Sequence, residues 1–90
     1  MAFESRQPVG YQQITALSSS TALTIPNLAK AALIQVEDQN VRYRDDGVAP
    51  TSSVGMQLLA DAAIWYTGKL SALRFIEETA SAKLNVSYYA

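Results

Sequence analysis

The stretch VEDQNVRYRDDGVAPTSSVGM, Val36 to Met56, holds the densest run of charge in the chain. Glu37 and Asp38 come first, Arg42 and Arg44 alternate with Val41 and Tyr43, and Asp45 and Asp46 stand together before Gly47. Clustered acids of this kind offer oxygen ligands for Ca2+ or Mg2+, or a carboxyl pair for acid–base work. The spacing around Asp45 and Asp46 matches no calcium-loop pattern. It does match a turn: aspartate side chains bond nearby backbone N–H groups, and glycine supplies a positive φ. Asp45, Asp46 and Gly47 therefore read as structural turn residues needing no metal, with a divalent-cation site as the competing reading.

The remaining chemistry is narrow. The chain has no histidine and no cysteine, which removes the Ser-His-Asp and Cys-His arrangements and the commonest zinc ligands. A carboxyl pair at Glu77 and Glu78 is the remaining catalytic candidate. Adjacent residues of a strand point to opposite faces, so that pair could not cooperate there. No enzymatic activity and no cofactor are expected. Formal net charge is -1, and the close cations Arg42 and Arg44 are flanked by acids, whereas a nucleic-acid surface needs several unopposed cations. No apolar run approaches the ~20 residues that span a bilayer. MAFESRQPVG lacks the apolar centre of a secretion signal.

Ninety residues suffice for one domain, and a chain of this size buries only about 60–65% of its unfolded surface. Residues 1–10 are aperiodic, with Pro8 and Gly10, and read as an N-terminal arm that becomes ordered in an assembly. Residues 11–90 read as a single β-sandwich domain. Tyr11–Leu17 alternates weakly, and Ala22–Ile25 sets Leu23 and Ile25 on one face. Ala31–Glu37 is a strong strand with Ala32, Ile34 and Val36 inward and Leu33 outward. Val41–Arg44 continues the alternation. A hairpin turning at Gln39-Asn40 would set Val36 opposite Tyr43 and Glu37 opposite Arg42, matching apolar with apolar and charge with charge.

Beyond Gly55 two readings stay open. Residues 56–83 are rich in helix formers and fit a helical hairpin broken at Gly68. They also divide into short strands around Met56 and Leu58, Ala62–Tyr66, and Leu73 and Phe75, with turns at Ala60-Asp61 and Thr67-Gly68-Lys69 and a loop at Glu77–Ser81. Lys83–Tyr89 alternates cleanly, with Leu84, Val86 and Tyr88 inward. The strand reading gives about eight short strands: an all-β, antiparallel two-sheet sandwich, jelly-roll-like.

The runs ALIQVEDQNVRYRDDGVAPTSSVGMQL and YTGKLSALRFIEETASAKLNVSYY, roughly residues 31–89, resemble small β-sandwich virion structural proteins of tailed bacteriophages. The resemblance rests on turns and strand faces and brings no catalytic residue. It implies a capsid decoration or cement protein in the virion, assembled in the host cytoplasm, that binds major capsid or other virion proteins as a homo-oligomer. Arg42, Arg44 and Arg74 are then candidates to orient a partner, and Trp65 and Tyr89 to anchor it. A receptor- or carbohydrate-binding module of a tail, neck or fibre is the rival expectation. Trp65 or Tyr66 exposed beside Asp45, Asp46 or Asn40 would favour it.

Overall fold

The structure, a computed structural model, describes residues 6–90. Eight strands follow one another: β1 (Pro8–Ile14), β2 (Thr21–Ala22), β3 (Ala31–Glu37), β4 (Val41–Arg44), β5 (Met56–Leu58), β6 (Ala63–Tyr66), β7 (Arg74–Glu77) and β8 (Lys83–Tyr89). Among the described residues the only helical element is a 3-10 turn at Leu70–Ala72, so the strand reading of residues 56–83 holds. The strands form two four-stranded sheets, β1-β8-β3-β6 and β2-β7-β4-β5, and every neighbouring pair is antiparallel. The pairs β1–β8, β2–β7, β3–β6 and β4–β5 make the chain one long hairpin rolled into two layers, the jelly-roll order. The tip of that hairpin is the β4–β5 connection, residues 45–55.

The core forms where the inward faces meet. β3 contributes Ala32, Ile34 and Val36, and β8 contributes Leu84, Val86 and Tyr88. Val41, Leu58 and Phe75 answer them from the second sheet. Each inward set is spaced by two, as alternation requires. Leu17 and Leu73, outside the strands, are also fully buried and close the gap between the layers. No polar or charged residue among those described is buried.

The β3–β4 hairpin expected from the sequence does not form. β3 and β4 lie in different sheets. Val36 stands opposite Leu84, and Glu37 opposite Lys83. Tyr43 lies between Met56 and Phe75, and Arg42 between Gln57 and Ile76. Asp38 adopts a φ of +74°, and Gln39 N–H bonds Glu37 O at 2.9 Å. That tight turn lifts the chain out of the first sheet and into the second. The physical reason is burial: as hairpin neighbours the two strands would share one apolar face, whereas as opposed layers each face covers the other.

Other boundaries also shift. β1 starts at Pro8, inside the expected arm, because Pro8 and Gly10 pair with Tyr89 and Tyr88 across a bulge; residues 1–5 of that arm lie outside the described residues. β1 ends at Ile14, three residues short of the expected Leu17. β2 ends at Ala22, before the expected Ile25. Antiparallel order gathers the connections after β1, β3, β5 and β7 at one end, here called the arch end. Those after β2, β4 and β6, with the start of β1 and the end of β8, gather at the tip end.

Candidate functional site

The five residues expected to meet a partner divide between opposite surfaces. Arg42, Arg44 and Arg74 rise from the outer face of the second sheet, with Arg44 directly opposite Arg74 on β7. Each is engaged within the chain. Arg42 Nε donates to Glu78 Oε2 at 2.6 Å, and its Nη1 to Gly55 O at 3.0 Å. Glu78 also accepts from Asn40 and from Gln57. The hydrogen bond from Arg42, with those from Gln57 and Asn40, holds the Glu78 carboxyl below its ordinary range. Arg44 pairs with Asp46, donating from Nε at 3.1 Å and again from Nη2. That bond raises the guanidinium and lowers the carboxyl. Arg74 Nη1 donates to the carbonyls of Ser71 and Leu73, each at 2.9 Å. Glu77 and Glu78 take separate tasks, since Glu77 Oε1 accepts from Ala82 N–H at 3.4 Å.

Trp65 and Tyr89 stand on the outer face of the first sheet, with ring centroids 5.2 Å apart. The Arg6 guanidinium lies 6.0 Å from the Trp65 ring, within cation–π range. Register places Tyr11, Ser87, Leu33 and Trp65 in one row across the four strands of this sheet. Gln13, Asn85 and Gln35 form the next row. Tyr11 is 66% exposed, Trp65 46% and Leu33 41%. Ala31 shares this outward parity yet is fully buried; it sits on β3 between the strands that carry Tyr89 and Trp65.

At the tip, Asp45, Asp46 and Gly47 follow β4. Gly47 has a φ of +79°, Asp46 Oδ1 accepts from Val48 N–H at 3.3 Å, and Asp45 Oδ2 accepts from Tyr66 OH at 3.0 Å. The last bond ties the ends of the two sheets together. Burial first, then the Asp45 bond, raises the Tyr66 phenol. Gly55 closes the loop at a φ of +141°, where a Cβ would lie 3.0 Å from Tyr43 O. The two aspartates thus serve different partners, and no group of three or more acids among the described residues is placed to hold a metal. A shallow cleft of about 250 Å³ lies here, lined by Arg44, Asp45, Asp46, Val54, Gly55 and Met56.

The structure separates the aromatic test stated above into two parts. Tyr66 is beside Asp45 but packs against the core, while Trp65 is exposed on the other side of its strand, away from these acids. Sequence reasoning missed the row Gln13, Asn85 and Gln35. The outward period-two positions were legible, but their strands β1, β8 and β3 are neighbours only in space. It also missed Leu28, Val48, Val54 and Met56, which lie exposed at the tip end. No helix among the described residues is long and apolar enough to cross a membrane. Comparison with protein-family models, curated proteins and solved structures finds no match for this chain.

Proposed function

We propose that this chain is a non-enzymatic structural protein of a bacteriophage virion: a capsid decoration or cement protein that binds across major capsid subunits in many copies. The observation that carries the proposal is the sorting of exposed apolar side chains. Of the eight large ones among the described residues, Leu28, Val48, Val54 and Met56 lie in or beside the tip-end connections, Tyr11, Leu33 and Trp65 lie on the first sheet, and Leu59 alone lies at the arch end. Leu28 adds a second sign. It is 70% exposed with a φ of +71°, a region strained for a bulky residue. Burial within the chain does not offset that strain; contact with a partner would.

An apolar end, and arginines already engaged internally, suit broad adhesion rather than a deep ligand pocket. Affinity then arises from many weak contacts on a lattice, and binding stabilises the assembled shell by mass action. The test compares particles with and without the protein under heating. Earlier DNA release without it, and unchanged host adsorption, is the expected result. Val54→Asp with Met56→Asp should leave the fold intact and abolish capsid binding. Normal particle stability with lost adsorption would replace the cement role with receptor binding.

A further inference from the structure

We propose that the outer face of the first sheet binds a neutral, linear oligosaccharide. The site lies on a sheet face and not in the tip-end connections, and it does not depend on the cement role. Its floor is the row Tyr11, Ser87, Leu33 and Trp65. Three strand spacings of about 4.8 Å separate the outer two by about 14 Å. Two aromatic rings therefore flank Ser87 and Leu33, and they span several pyranose rings rather than one; a sugar at Trp65 shares that ring with the Arg6 guanidinium. The apolar C–H face of a pyranose packs on such a ring, as apolar groups do on aromatic faces generally.

The adjoining row supplies fixed polar atoms. Asn85 is its hub. Its Oδ1 accepts from Tyr11 OH at 2.7 Å and from Gln13 Nε2 at 3.0 Å. Its Nδ2 donates to Gln35 Oε1 at 3.5 Å and to Glu37 Oε1. Two acceptances and two donations use the full capacity of the amide. Asn85 is thus a positioning residue, and it settles which atom each neighbour turns outward. Gln13 keeps Oε1, an acceptor; Gln35 keeps the Nε2 donors; Glu37 keeps Oε2, an acceptor. A sugar hydroxyl both donates and accepts, so adjacent hydroxyls along a chain match an alternating row of this kind. The row is held before any ligand arrives, which lowers the ordering cost of binding.

Charge selects a neutral ligand. Asp38 is paired on this side with Lys83, whose Nζ lies 3.2 Å from its Oδ2, and Glu37 stands in the polar row as an acid bonded to Asn85. A polyanion would meet the Glu37 carboxylate in that row.

Trp65 is the only tryptophan in the chain, so its emission reports this face alone. The intact protein is titrated with maltohexaose, cellohexaose and mannohexaose, with the matching monosaccharides and a heparin hexasaccharide as controls. At least one neutral hexasaccharide should shift the emission saturably, with affinity at least about tenfold above its monosaccharide, and the heparin fragment should not. Tyr11→Ala and Asn85→Ala should each weaken calorimetric binding at least about tenfold with unfolding still cooperative. Should either variant fail to fold, Gln35→Ala takes its place with the same expectation. The proposal is overturned if no neutral probe binds, if the heparin fragment binds as well as the neutral ones, or if the folded variants bind like the parent. It is equally overturned if the parent self-associates through this face, shown by a dimer that Trp65→Ala dissociates and no sugar perturbs.

Discussion

On the outer face of the second sheet, every guanidinium is engaged with a nearby group of its own chain: Arg42 with Glu78 and Gly55, Arg44 with Asp46, Arg74 with two carbonyls. On the outer face of the first sheet, the polar side chains also hold one another, but through one amide, Asn85, and they keep donors and acceptors turned to solvent. Both faces come from the same alternation of inward and outward residues. Long cations on the second sheet fold back onto local acids and carbonyls. The amides on the first sheet instead bond one another across strands, through Asn85. One alternation thus yields one face closed by ion pairs and one knitted by a single amide, a difference set by side-chain chemistry and not by backbone pattern.

The strongest way to break the comparison is to remove the core both faces share. Phe75 is fully buried, 5.9 Å from the Tyr43 ring. Phe75→Ala should cost about 3–5 kcal/mol, and urea titration should show both faces lost in one transition. A surviving first sheet would show the layers to be independent.

A smaller effect separates the layers by pH. Burial pushes the Tyr88 phenol from 10.0 up to about 12, and its OH donates to Gln12 Oε1 at 2.8 Å. The folded state keeps this proton where the unfolded chain releases it. Stability contributed by the neutral phenol is full below pH 10.0 and lost as pH rises toward about 12. Tyr88→Phe should flatten that alkaline decline in melting temperature. Tyr43 and Tyr66, also raised by burial, should leave a residual slope.

The second sheet should answer to acid instead. The Glu78 carboxyl is held below 4.5 chiefly by Arg42. Its contribution is full above that value and lost as pH falls through the lower, folded one. Arg42→Ala should lower the melting temperature by a few degrees at neutral pH and give a shallower acid slope. An unchanged slope would mean that the pair adds nothing. The smallest effect belongs to the open face: Leu33→Ser should alter stability by no more than about 0.5 kcal/mol in either direction, measured by denaturant midpoint. A large loss would show that Leu33 supports the core.

Much of the fold was legible. Ala31–Glu37, Val41–Arg44 and Lys83–Tyr89 are strands with the bounds their alternation predicts. The turns at Asp45-Asp46-Gly47 and Ala60-Asp61 stand where turn chemistry places them, with Gly47 and Asp61 at positive φ. The connection at Glu77–Ala82 was less readable because it lacks Gly, Asn and Pro; Ser81 takes the left-handed conformation there, with a φ of +79°. Of the expected contact residues, Trp65 and Tyr89 do meet, but no local signal showed that they share a face with Tyr11 and Asn85.

The sequence by itself determined which segments extend and which side of each is apolar, because side-chain alternation is a property of a single strand. Only the tertiary structure decided which strands are neighbours. A strand with a period-two apolar face fits many others of the same pattern, and one cross-strand pair contributes only about 0.2–1 kcal/mol, too little to choose a partner. The choice falls to the closure of two layers over one core. That closure separates Val36 from Tyr43, seven residues apart in the chain, and joins Tyr11 to Asn85 across 74 residues of sequence.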